Sequence, residues 1–233
     1  MAYLGEPVPT VPQPRPTAEP PGRTGPWLSA RPEAARVGGA TADGPTGAVL
    51  FGRDGTLLQN VACNGDPAMV HPTAGVRAAL AALRAAGFAV GVLSNQPGVA
   101  RGLLGRGQVE TVQARAEALL GPIDVWAVCP HGSHDTCSCH MPAPGLVTAA
   151  CRALGLPPSR VTVIGCGENV IAAALAAGAH AIRVPDATRP TVAPYRSCTP
   201  TACPAAEGPA EAAYLLLRHR PTELRRSTGN SGA

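Results

Sequence analysis

The chain has 233 residues, enough for one folded domain plus tails, and 45% of them are apolar against only seven aromatic residues. Its formal charge of +4 comes from nineteen basic residues, all of them Arg, and part of the excess sits in the C-terminal stretch LLRHRPTELRR. No zinc-finger, helix-turn-helix or RNA-recognition pattern accompanies that charge, no apolar run reaches about 18 residues, and no secretory signal opens the chain. These features argue against nucleic-acid binding and membrane insertion and lead to an expected cytoplasmic protein.

Residues 1–45 are rich in Pro, Gly, Ala and Thr and carry little periodicity. VPTVPQPRPTAEPPGR can adopt polyproline II but cannot build a core, so the arm is expected to be disordered. From residue 46 to 186, strand and helix signals alternate. AVLF predicts a short buried strand, and AGVRAALAALRAAG predicts a helix with Val76, Leu80 and Leu83 on one face. FAVGVLS begins just after Gly87, a good helix stop, and reads as the second strand. A helix over GQVETVQARAEALLG, a strand over DVWAVC and a helix over PGLVTAACRALG follow. RVTVIG, NVIAAALAAGA and AIRV complete the series as strand, helix and strand. Continuous apolar strands separated by helices predict a doubly wound α/β domain around a parallel sheet. Its site is expected at the carboxyl ends of the strands. Residues 187–233 return to Pro, Thr and Arg, with one possible helix over PAEAAYLLLRH and a disordered end.

Eight Cys are present, three of them within residues 129–139. In a cytosolic chain such clustering reads as metal before disulfide. Cys129, His131, Cys137 and Cys139 offer three thiols and an imidazole, a set that suits tetrahedral Zn²⁺. With all four positions filled by protein, the site would be structural. A disulfide or unused thiols are the alternatives, His134 and His140 are rival donors, and Cys63 and Cys151 read as ordinary small side chains.

Four stretches carry a resemblance. They are FGRDGT after the first strand, LSNQPGVARG after the second, CPHGSHDTCSCHMPAPGL after the third and VIGCGENVIAAALAAGA around the fourth. Together they resemble the haloacid-dehalogenase-type phosphatases, in the capless branch that acts on heptose bisphosphate and histidinol phosphate. The resemblance spans residues 46–186 and implies a Mg²⁺-dependent phosphomonoesterase with a zinc loop beside its active site. It also implies roles. The first Asp of Asp-x-Asp-Gly-Thr is the family nucleophile, and Gly52 stands there. The second, the general acid and base, is kept as Asp54. Thr56, Ser94 and Asn95 match phosphoryl-binding positions. The charge-neutralising Lys is replaced by Met141, and the two Mg²⁺-binding acids by Cys166 and Val170.

A thiol is a poor Mg²⁺ ligand and Val is none. Glu168 lies off the family register, and Arg53 or Arg101 are the cations that could reach in for the lost Lys. The expectation is a catalytically impaired phosphatase-like protein that binds a phosphate ester or a protein partner. The alternative is an active sugar-phosphate or histidinol-phosphate phosphatase with a rearranged site around Asp54 and Glu168.

Overall fold

The computed structural model describes residues 25–31, 46–188 and 203–218. Six strands form one sheet: β1 (Trp27–Ala30), β2 (Gly47–Gly52), β3 (Phe88–Asn95), β4 (Val125–Cys129), β5 (Val161–Gly165) and β6 (His180–Arg183). Their spatial order is β1-β4-β3-β2-β5-β6, parallel throughout except for β1, which runs antiparallel to β4. The helices are α1 (Val76–Ala85), the single turn α2 (Pro97–Ala100), α3 (Arg106–Leu120), α4 (Gly145–Ala153), α5 (Glu168–Ala176) and α6 (Pro209–Arg218). The expected doubly wound α/β architecture is therefore present, with one strand more than the sequence pattern suggested.

The reason the central strands read as unbroken apolar runs is visible in β2. Ala48 and Leu50 point into a core shared with Leu146, Val147 and Ala150 of α4 and Ile171 of α5. Val49 and Phe51 point the other way, among Leu80 and Leu83 of α1, Val112 of α3 and Leu216 of α6. Side chains alternate across a strand, so a sheet covered on both faces needs apolar residues at every position. Gly91 of β3 fits the same logic: a Cβ there would lie 2.5 Å from both Leu50 Cδ2 and Val125 Cγ1, so these neighbours occupy its space.

Strand β1 corrects the expectation of a wholly disordered N-terminal arm. Trp27–Ala30 pairs with Val125–Val128, and the Arg106 guanidinium lies 5.4 Å from the centre of the Trp27 ring. Its burial pattern runs from half-buried to exposed, as an edge strand allows, which is why no apolar run announced it. The other residues of that arm lie outside the described residues, as does the end of the C-terminal tail. The helix read in that tail is present as α6, buried through Ala212, Ala213 and Leu216 and packed on α1.

Connections from β2 lead to one side of the sheet through β3 and β4, and the chain then returns to β5 and β6 on the other side. The strand order thus reverses beside β2, and open α/β sheets bind ligands at such a point, beyond the strands' carboxyl ends. Gly52, Asn95, Cys129 and Gly165 are the last residues of four of these strands.

Candidate functional site

A cavity of about 870 Å³ opens at the carboxyl ends of the strands. Gly52, Asp54, Thr56, Ser94, Asn95, Met141, Cys166 and Val170 all line it, so the fold brings together every position that the resemblance assigns to catalysis or phosphate binding.

The first loop is held tightly. Leu57 N donates to Gly52 O, Gly55 N donates to Leu58 O at 2.8 Å, and Gly55 adopts φ +74°. A side chain at Gly55 would meet both Asp186 Oδ1 and Cys166 Sγ at 2.8 Å, so the loop needs glycine there for space as well as conformation. Gly52 differs. Its φ is not positive, and an added Cβ would find Thr56 Oγ1 at 3.5 Å and Gly165 Cα at 3.8 Å, ordinary contact distances. Neither the backbone nor the packing requires a glycine at this strand end.

Asp54 is engaged through both carboxylate oxygens. Arg53 Nε donates to Oδ1 at 3.0 Å, and Gln96 Nε2 donates to Oδ2 at 3.3 Å and to Ser94 Oγ at 2.7 Å. Asp54 is thus held in a side-chain network with Arg53, Gln96 and Ser94.

The other polar residues are also committed. Cys166 N donates to Thr56 Oγ1 at 3.0 Å, tying the β5 loop to the β2 loop. Asn95 uses its whole amide on one residue: Nδ2 donates to Met141 O at 3.0 Å, and Met141 N donates to Oδ1 at 3.1 Å. Its side chain thus clamps the loop after β4 to the end of β3. Met141 and Val170 are both buried and belong to the core cluster that also holds Cys139. Of the two arginines considered as substitutes for a Lys, Arg53 lines the cavity and is 3% exposed. Arg101 instead contacts Cys63 Sγ through Nη2 at 3.5 Å.

The two positions that the resemblance gives to Mg²⁺ binding, Cys166 and Val170, carry no oxygen ligand. Cys166 Sγ donates to the Asp54 backbone oxygen at 3.4 Å, and burial pushes its pKa up, with the Asp186 and Asp54 charges acting in the same direction. The group is thus a neutral thiol beside a buried Val and a residue with no side chain, whereas Mg²⁺ takes oxygen ligands. Glu168 is exposed at the first position of α5, and Asp186 Oδ1 accepts from Thr188 N at 2.9 Å and from Thr188 Oγ1.

The cysteine cluster has the opposite character. Ligand atoms of Cys129, His131, Cys137 and Cys139 all lie within 4.8 Å of one another. The sulfur separations are 3.3 Å (Cys129–Cys139), 3.7 Å (Cys137–Cys139) and 3.9 Å (Cys129–Cys137). His131 Nδ1 is 3.5 Å from Cys129 Sγ and 3.3 Å from Cys139 Sγ. A tetrahedral zinc centre with Zn–S near 2.3 Å has S···S edges of about 3.8 Å and S···N edges of about 3.6 Å. A disulfide needs about 2.0 Å, so these thiols are unbridged. Burial raises the Cys129 thiol and pushes Cys139 up to about 11. For Cys137, burial is outweighed by the backbone N–H groups of His140 and Cys139, and its pKa falls. The rival His140 turns its Nδ1 to His131 O at 3.1 Å, and His134 is exposed.

Three features of the site escaped the sequence pattern. Gln96 lies inside LSNQPGVARG, but only contact with Asp54 gives it a role. Asp186 follows β6 by three residues, where the strand-end rule alone would have marked it. Ala205 and Ala206 reach the cavity because their segment bridges to Arg183, a contact that no periodicity encodes.

Residues 33–178 match the family model described as haloacid dehalogenase-like hydrolase. The chain belongs to that family. It is 34% identical, over 48% of its length and 67% of the relative's, to D-glycero-beta-D-manno-heptose-1,7-bisphosphate 7-phosphatase of Pseudomonas putida. The enzyme of the same name from Pseudomonas aeruginosa is 32% identical over 46% of this chain and 62% of its own. The chain thus spans about two thirds of these curated relatives. Among solved structures, the D,D-heptose 1,7-bisphosphate phosphatase of B. bronchiseptica, complexed with magnesium and phosphate, superposes with a TM-score of 0.66 at 27% identity. That match covers 73% of this chain and 98% of the other.

Proposed function

We propose that this member of the hydrolase family binds a phosphate ester in the strand-end cavity and no longer performs the covalent phosphatase reaction of its relatives. The observation that carries the reading is Gly52. It ends the strand that enters the cavity, at the position the resemblance gives to the nucleophile, and the surrounding space would accept a side chain. A reaction that proceeds through an aspartyl-phosphate has no atom there to form the bond. The acid–base residue, Asp54, is held between Arg53 and Gln96, and the donor set around Cys166 is unsuited to Mg²⁺.

What the chain's own residues can still do is bind. Thr56 and Ser94 bring hydroxyls to the cavity, Arg53 brings a guanidinium, and the amino end of α5 opens onto it through Gly167 and Glu168. Four donors with near-tetrahedral spacing support structural Zn²⁺ at Cys129, His131, Cys137 and Cys139, which would brace the loop leading to Met141. A cytoplasmic location completes the reading; among the described residues no helix is long and apolar enough to cross a membrane.

The second reading is an active sugar-phosphate phosphatase, and it is favoured by the names of the relatives, all heptose bisphosphate phosphatases. In it, Asp54 with Glu168 would carry a rearranged reaction. Phosphate release from heptose bisphosphate by the zinc-loaded chain with Mg²⁺ separates the two. The binding reading expects no release above background. Release that disappears in Asp54→Asn would establish the second reading.

A further inference from the structure

We propose that the cavity takes a phosphate ester with an apolar body, holding its charged head on Arg53 without a divalent metal. This rests on the phosphate-ester reading above and adds the cation that replaces metal and Lys, together with the ligand's chemical class.

Arg53 carries the argument. It is 97% withdrawn from solvent, and its sole side-chain hydrogen bond among the described residues is the one from Nε to Asp54 Oδ1. Nη1 is buried and has no hydrogen-bond partner among the described residues. A guanidinium has five donors, and leaving them unmade away from water is unfavourable by more than a neutral group would be. One carboxylate on Nε balances the charge while leaving the fork of Nη1 and Nη2 unused. Such a fork matches two oxygens of a phosphoryl group. The residue lines the cavity beside Gly52, where the missing side chain leaves space for the head group. The amino end of the nine-residue helix α5, whose cap Gly167 supplies no side chain, lines the same cavity, and the helix dipole there favours an anion.

The wall specifies the body. Met141 and Val170, each 6% exposed, line the cavity from the core side, and Val184, Pro185 and Ala206 line it as well. A ring bearing hydroxyls set against such a surface loses hydrogen bonds to water that these side chains do not return. An apolar ring loses nothing and buries its own surface. Met141 and Val170 therefore change more than the chemistry of the head: they make two polar positions of the wall apolar.

The test is calorimetric titration of the full, zinc-loaded chain in Mg²⁺-free buffer with phenyl phosphate and glucose 6-phosphate, esters with six-membered rings of opposite polarity. The expected result is binding of phenyl phosphate at least about tenfold tighter than the sugar ester. Added Mg²⁺ should leave that affinity unchanged, and Arg53→Met should weaken it by about tenfold or more, with Arg53→Lys between. If Arg53→Met does not fold, as judged by its zinc content and melting, Met141→Lys provides an independent reading, since a polar wall should erase the preference for the apolar ring. Binding that is indifferent to Arg53, that Mg²⁺ strengthens, or that favours the sugar ester overturns this inference and leaves the phosphate-ester reading standing. No binding of either ester, with or without Mg²⁺, overturns both.

Discussion

The loop after β4 and the cavity at the end of β2 meet at Met141, and they differ in completeness. In the loop, three thiols and an imidazole stand at the separations of a tetrahedral zinc site, with no donor short. In the cavity, of the positions that the resemblance assigns to catalysis only Asp54 carries a carboxylate, and it is tied to an arginine and an amide. Asn95 joins the two regions by bonding both backbone groups of Met141. On the proposed reading, the geometry of this fold persists where its reaction does not, because the two depend on different atoms. Sheet, loop clamp and metal cluster hold the cavity open; the chemistry needs a few side-chain tips inside it.

The largest effect expected from breaking this contrast is in the metal loop's dependence on its donors. Cys139→Ala removes one of four ligands and should abolish stoichiometric zinc binding. Thermal unfolding should then shift down by roughly 6–12 °C, taking about 3 kcal/mol for the lost metal contribution in a chain of this size. Zinc content by elemental analysis and the melting curve check it; an unchanged melting temperature would mean that the loop is held without metal. Zinc binding should also release protons at neutral pH, because burial keeps Cys139 protonated up to about 11 and raises Cys129 too. Zinc affinity should therefore fall as pH falls, measurable by competition with a chromophoric chelator between pH 6 and 8.

A smaller effect concerns the sheet edge that neither region needs. Trp27→Ala removes the ring that packs with Val99, Leu104, Val109 and Val128 and sits under Arg106. Because Trp27 is only half-buried, the expected loss is about 1–2 kcal/mol in urea unfolding. No loss would mean that β1 contributes nothing to the stability of β4.

The smallest expected effect is at Asp124, whose carboxylate accepts from Val90 N at 2.7 Å. Burial raises its pKa above the ordinary 3.8, against the pull of that hydrogen bond and of Arg84. The folded state therefore holds the proton more firmly than the unfolded state, and ionisation costs stability as pH rises above 3.8. Asp124→Asn should raise the melting temperature by roughly 1–3 °C at pH 7, and the gain should vanish toward pH 3. A gain that grew on acidification would reverse the sign of this account.

Much of the architecture was legible because buried strands and amphipathic helices leave periodic signals. VTVIG and VRAALAALRA could be placed from their apolar spacing, and the short-range cysteine spacing exposed the metal cluster. WLSA could not be placed, since an edge strand with three exposed residues has no apolar run to display. The site was legible as positions and illegible as bonds. Asn95 read as a phosphate-binding residue, but its amide is spent on Met141; Asp54 read as the general acid and base, and its carboxylate belongs to a network with Arg53 and Gln96. Those facts depend on residues up to 46 positions apart.

The central claim is that the scaffold survives and the reaction does not. The most direct measurement compares phosphate release from heptose bisphosphate, with Mg²⁺, by the natural chain and by one carrying Gly52→Asp, Met141→Lys, Cys166→Asp and Val170→Asp together. Removal of a covalent nucleophile costs a hydrolase on the order of 10⁴ to 10⁶ in rate. The account predicts background release from the natural chain and measurable turnover from the restored one. Turnover by the natural chain that Asp54→Asn abolishes would contradict it and assign catalysis to the site as it stands.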